Sequence, residues 1–214
     1  MRAKTSFSVA FFALAVPIAA QVLFTDAFNS SAVDTSKWSD VTPFSDSFVS
    51  QTGGYVQVED GGRITTLPSF TGAIEITGRI QLSNNTKNNS KIVFRTDGAQ
   101  YFSEVKGVVI QFSPQLDNGS FANQLGIFTI GEAAQTSTSL TTPINLDAWY
   151  EFRIVDTGTT VELYWNGAII PTLVLATSYR VGSKVSFYSR EGSGNGSSIS
   201  NDGRGRLDFI TVSA

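Results

Sequence analysis

Residues 147–167, DAWYEFRIVDTGTTVELYWNG, constrain the fold more than any other part of the chain. They predict two β-strands, 149–155 and 160–165, joined by a tight turn at Asp156-Thr157-Gly158 and followed by a second turn signal at Asn166-Gly167. Phe152 and Ile154 point one way along the first strand, and Val161, Leu163 and Trp165 share a face of the second. An apolar period of two on both sides of a turn belongs to a sheet with one buried face.

The same signals recur along the chain. Residues 22–28 (VLFTDAF) read as a first strand, and 34–38 as a turn that seats Trp38. Residues 53–58 and 63–66 look like a hairpin around Asp60-Gly61-Gly62. In 73–81, Ile74, Ile76 and Ile80 alternate with Glu75, Thr77 and Arg79, with Gly78 marking a bulge. Strands are predicted at 91–96 (KIVFRT), 107–112 (GVVIQF), 125–130, 172–175, 184–188 and 206–212, with a Ser/Thr loop at 137–143 and a long Gly/Ser/Asn loop at 192–205. About a dozen short strands, no helix of useful length and no internal repeat predict an all-β, antiparallel β-sandwich of the jelly-roll type.

Residues 1–20 stand outside that pattern. Arg2 and Lys4 precede an apolar run over 7–18 and the small residues Ala19-Ala20, which is the layout of a secretory signal peptide cleaved before Gln21. The expectation is a secreted, extracellular protein whose residues 21–214 form one sandwich domain. Removing the leader leaves 13 basic and 18 acidic residues, a balance that argues against nucleic acid or an anionic membrane as partner.

Absent residue types narrow the chemistry further. With no cysteine, stability must come from packing and strand pairing, and thiol catalysis is excluded. With no histidine, His-based triads, His general bases and the usual zinc-enzyme ligand sets are excluded. Any chemistry rests on carboxylates, Tyr, Lys, Arg or Ser. Sequons at Asn29, Asn84, Asn88, Asn118 and Asn195 predict a glycoprotein if the export route is eukaryotic.

The order FTDAF, DTSKW, FRTDG, GVVIQF, WYEFRIVDTGTTVELYWNG and LDFITV resembles the concanavalin A-like lectin/glucanase superfamily, within it most similar to laminin G-like domains and the 3-keto-disaccharide hydrolase-like domain. These motifs mark strand ends and core aromatics, so they bear on fold more than on activity. The resemblance implies a concave sheet able to hold sugar and, in many members, a calcium ion on the sandwich rim. Asp26 and Asp208 are the carboxylates it points to for calcium, helped by backbone carbonyls near Gly53 and Gly54. A glucanase member would carry Glu-x-Asp-x-x-Glu on one strand, since retaining hydrolysis needs two carboxyls roughly 5 Å apart. The nearest stretch is Glu75-Ile76-Thr77-Gly78-Arg79, where Glu75 stands alone.

Strand parity singles out a polar set. In KIVFRT, Val93 and Arg95 oppose Ile92, Phe94 and Thr96; in GVVIQF, Val109 and Gln111 oppose Val108, Ile110 and Phe112. If the two strands are neighbours, Arg95 and Gln111 project from one face, where Tyr101 could add an aromatic platform for a sugar. Tyr164, opposite Leu163 and beside Glu162 in parity, is a further exposed ring, whereas Trp38, Trp149 and Trp165 are expected in the core. Asp202-Gly203-Arg204-Gly205 reads as a turn.

The primary expectation is a carbohydrate-binding, lectin-like protein without catalysis, with Arg95, Tyr101, Gln111 and Tyr164 contacting an extracellular or cell-wall polysaccharide. The alternatives are a polysaccharide-active enzyme on the same fold and a structural or adhesive coat protein. The enzyme is either glycoside-cleaving or a lyase with Tyr101 or Tyr188 as base and Arg95 or Arg190 neutralising a uronate.

Overall fold

The computed structural model describes residues 20–42, 47–83, 89–99, 102–114, 123–189 and 204–214. Among the described residues fifteen strands form, and most of them turn a face of apolar side chains to a shared interior. The strands are β1 (Val22–Asp26), β2 (Trp38–Val41), β3 (Phe48–Thr52), β4 (Tyr55–Glu59), β5 (Arg63–Thr66), β6 (Ile74–Ser83), β7 (Ser90–Thr96), β8 (Gly107–Ser113), β9 (Gln124–Ile130), β10 (Ser137–Thr141), β11 (Trp149–Asp156), β12 (Thr160–Trp165), β13 (Leu173–Ala176), β14 (Lys184–Ser189) and β15 (Arg204–Ser213). A single 3-10 turn, Phe102–Glu104, is the only helical element among the described residues.

Two antiparallel sheets result. Sheet A runs β13-β12-β11-β6-β15-β4-β3, with β1 pairing β15 beyond β4, and sheet B runs β10-β9-β8-β7-β14-β5-β2. This is the β-sandwich jelly roll expected from the sequence. The central hairpin forms as read: Ile154 pairs Leu163, Phe152 pairs Trp165, and the turn closes through a bond from the Thr157 amide to the Thr160 carbonyl, 3.0 Å long.

One continuous apolar layer fills the space between the sheets. Phe24, Phe28 and Trp38 pack edge-on and tilted at 5.0 and 5.7 Å between ring centroids. Farther along, the Trp165 ring stacks on Phe112 at 5.3 Å and on Tyr150 at 4.9 Å. Trp38 and Trp165 are therefore core residues as expected. Trp149 is not: it pairs with Gln81 on the face of sheet A turned away from the core, where the Arg79 guanidinium lies 5.2 Å from its ring.

Four local expectations need correction. The stretch 53–66 is no hairpin, because β4 joins sheet A and β5 joins sheet B. The Asp60–Gly62 turn carries the chain across the sandwich, and a side chain at Gly62 would sit 2.3 Å from the Phe48 carbonyl oxygen. The hairpin partner of β4 is instead β3, which alternates too weakly to be seen in sequence. Residues 137–141 form the edge strand β10 rather than a loop, since Ser and Thr tolerate a half-solvated edge. Gly78 is no bulge: the register shift falls in β15 between Leu207 and Phe209, while Gly78 lies flat under the Phe152 ring. Arg204 and Gly205 open β15 rather than a turn; Asp202 and Gly203 lie outside the described residues.

Candidate functional site

The registers of sheet B carry a row of polar side chains across its outer face. Arg63 pairs Tyr188, Tyr188 pairs Lys91, Lys91 pairs Gln111, and Gln111 pairs Gly126, which pairs Ser139 on the edge. Directly paired residues share a face, so β5, β14, β7 and β8 present a guanidinium, a phenol, an ammonium and an amide in succession, about 4.8 Å per strand. A parallel row one step along reads Ser186, Val93, Val109, Phe128 and Ser137.

The first row is deeply set. Tyr188 is 1% exposed, Arg63 4%, Lys91 5% and Gln111 8%. Val105 and Ala99 pack over this face on Val93, Val109 and Tyr188. The Arg63 guanidinium carbon lies 5.5 Å from the Tyr188 ring centroid, Lys91 donates to the Asn89 side-chain oxygen, and the Gln111 amide donates to the Ser113 hydroxyl at 3.1 Å. In such a water-poor setting charges act over longer distances than at the surface. Beside Gln111 the face opens into a groove lined by Gln124, Gly126, Phe128, Ser137 and Ser139, where Gly126 leaves room that a side chain would take.

Of the residues expected to bind sugar, Gln111 lies on this face and in this groove. Arg95 does not. Strands β7 and β8 are neighbours as required, and Val93 pairs Val109 on the outer face. The register of β7 with β14 then shifts between Lys184 and Val185, and Arg95 takes a left-handed backbone, φ +54°. That bulge turns its side chain into the end of the sandwich, where it is 1% exposed. There the guanidinium forks onto Asp156, with Nε to Oδ2 at 2.8 Å and Nη2 to Oδ1, and Nη1 donates to the Thr177 and Tyr179 carbonyls at 2.9 and 3.2 Å. Asp156 also accepts from Arg180 at 3.1 Å and from the Gly158 amide at 2.7 Å. Arg95 is a clamp between the sheets.

Tyr164 lies on the opposite side of the molecule, on the outer face of sheet A. Its hydroxyl donates to Glu162 at 2.6 Å, which raises the phenol above its ordinary pKa, and the Arg153 guanidinium covers its ring at 3.6 Å. It cannot join a site with Gln111. Tyr101 and Arg190 lie outside the described residues, as do Asn84, Asn88, Asn118 and Asn195; Asn29 is exposed.

The two calcium candidates do not make a pair. Both oxygens of Asp26 accept protein N–H donors at 2.8 Å, from the Phe28 amide and the Trp38 indole, which closes the turn that seats Trp38. Asp208 forms an ion pair with Arg79 on the outer face of sheet A. Among the described residues no three carboxylates gather, and calcium needs six to eight oxygens. These residues do not fit the ion.

Parity in KIVFRT could have found Lys91, which alternates with Val93. Arg63 was not findable that way, because its place beside Tyr188 depends on the order of strands far apart in sequence. The strands of this sheet lack the glucanase carboxylates as well. Among the seven strands of sheet B the single carboxylate is Asp40, on the edge strand β2, while Glu75 sits on sheet A paired with Arg153.

No protein-family model matches the chain, and no curated protein matches its sequence. Solved structures do match. A β-glucanase of Bacillus licheniformis superposes with a TM-score of 0.67 at 11% identity, over 92% of this chain and 100% of that one. A glycosyl hydrolase family 16 protein of Mycobacterium smegmatis gives 0.64 at 12%, over 90% and 100%. A β-1,3-glucanase of Mycobacterium marinum gives 0.61 at 16%, over 91% and 100%. At these identities the likeness carries the fold and not an activity. The neighbours are named as glucanases and a glycosyl hydrolase, so the comparison backs the enzyme alternative and not the expected lectin-like protein without catalysis. By architecture, the chain has the jelly-roll fold of the concanavalin A-like lectin/glucanase superfamily.

Proposed function

We propose that the protein is a polysaccharide-active enzyme that takes its substrate into the groove beside Gln111 on the outer face of sheet B and reaches from there to the buried row behind it, and that its chemistry is β-elimination at a uronate. The observation that supports this reading is the single row Arg63, Tyr188, Lys91 and Gln111 on four adjacent strands. A cation beside an amide, Lys91 next to Gln111, is what a uronate carboxylate calls for, and the phenol of Tyr188 on the next strand is a base that needs no histidine. A two-carboxylate hydrolysis finds no support in strands whose one carboxylate is at the edge.

In this reading Lys91 and Gln111, paired on adjacent strands, receive the sugar carboxylate and stabilise the charge that builds on it when the neighbouring C5–H is broken, while Arg63 lies over the Tyr188 ring. Tyr188 acts as the base and takes the C5 proton, the electron pair forms the C4=C5 bond, and the C4–O bond to the next sugar breaks. The Tyr188 hydroxyl returns its proton to the departing oxygen. Atoms and charge balance without a metal or redox partner. The N-terminal segment 1–20 is taken as the export signal that delivers the enzyme to extracellular polysaccharide.

A panel of uronate and neutral polysaccharides tests the proposal, with ultraviolet absorbance of the unsaturated end and reducing-end release measured together. The expected result is unsaturated product from uronate polymers, reduced on the order of 10²–10⁴-fold in Tyr188→Phe. Reducing ends without unsaturation would replace elimination by hydrolysis. No turnover of any polymer would overturn the proposal.

A further inference from the structure

Resting on that lyase reading, we infer that the substrate is a mixed polymer, in which the uronate at Lys91 and Tyr188 is followed, on the β9–β10 side, by a neutral sugar. The two halves of the outer face of sheet B differ in chemistry. The half built by β5, β14 and β7 carries Arg63 and Lys91. Among the described residues, the half built by β8, β9 and β10 has no charged side chain lining its groove, which offers the amides of Gln111, Gln124 and Gln135, the hydroxyls of Ser137 and Ser139, and the half-buried ring of Phe128.

A neutral pyranose needs that combination: amide and hydroxyl partners for its own hydroxyls and an aromatic ring for its apolar face. A second carboxylate would be desolvated there without a cation to receive it, which is costly. Lys91 cannot serve both positions. Gly126 and Ser139 lie two and three strands away, about 10 and 14 Å at 4.8 Å per strand, and the Lys91 ammonium is already held by Asn89. The backbone adds to this: Gly126, opposite Gln111, places no side chain over the sheet and leaves the ring a flat floor.

The test compares a homopolyuronate with a polymer alternating uronate and neutral hexose, followed by unsaturated-product absorbance. The native enzyme is expected to have at least a ten-fold higher kcat/KM on the alternating polymer. Ser139→Lys places a cation in the neutral position on an exposed edge strand and should bring the ratio down by about five-fold or more, chiefly by lowering KM for the homopolymer. Gln135→Arg, on the exposed turn before β10, should act in the same direction if the first variant folds poorly. Equal turnover of both polymers, unmoved by either substitution, would overturn the neutral-sugar position while leaving elimination intact. No unsaturated product from either polymer overturns the lyase reading and this inference with it.

Discussion

The Arg95–Asp156 clamp gives a stability prediction whose size follows from the structure. Arg95 is 1% exposed and its partner Asp156 is likewise 1% exposed, so neither charge is hydrated in the fold. Arg95→Ala removes the forked pair and two further donors, to the Thr177 and Tyr179 carbonyls. Asp156 then keeps only Arg180, whose side chain is 31% exposed, and the Gly158 amide. Breaking a buried pair from one side costs about 3–5 kcal/mol. For a chain of this length that corresponds to a melting temperature lower by on the order of 10 °C. Arg95→Lys should recover little, because an ammonium cannot make the fork. The double substitution Arg95→Met/Asp156→Leu should regain most of the loss, since the desolvation cost of both charges disappears together. Urea unfolding of the four proteins, read at the midpoint with unchanged slope, measures each term. A loss below about 1 kcal/mol in Arg95→Ala, the size of an exposed pair, would refute the reasoning and return Arg95 to the surface.

Two further predictions are independent of that clamp. Trp165→Ala should cost about 3–5 kcal/mol, because the ring is buried between Phe112 and Tyr150 and leaves a cavity; a cost below about 1 kcal/mol in the same urea assay would mean the hairpin faces are reversed. Tyr164 should titrate above an ordinary tyrosine, because Glu162 accepts its hydroxyl proton. A folded pKa raised in this way adds stability that is complete below the unfolded value of 10.0 and is lost as pH rises through the folded one. Ultraviolet titration of Glu162→Gln should show the phenol shifted back down, and an unchanged titration would remove Glu162 as the cause.

What the sequence determined by itself was the material of the sandwich. The alternation in residues 147–167 contains the hairpin, its turn and the inward direction of Phe152, Ile154, Leu163 and Trp165, because a period of two is a local property of strand backbone. The absence of His and Cys is also complete in the sequence, and it limits the chemistry whatever the fold. Val93, Val109 and Gln111 were on the expected face for the same local reason.

Tertiary structure decided everything that depends on which strands meet. Arg95 has the parity of Val93, yet one bulge against β14 reverses its direction, and no signal in KIVFRT announces a register shift made with a strand ninety residues away. The hairpin expected over 53–66 failed because the turn residues that favour reversal also allow the chain to cross between sheets; pairing with β14 and β2 decided for the crossing. The row Arg63, Tyr188, Lys91 and Gln111 joins residues from four separate stretches, and only the order β8-β7-β14-β5 brings them side by side. Hydrogen-bond register is a non-local choice settled by the packing of the whole core, and so the candidate site, unlike the strands that carry it, belongs to the fold and not to any segment.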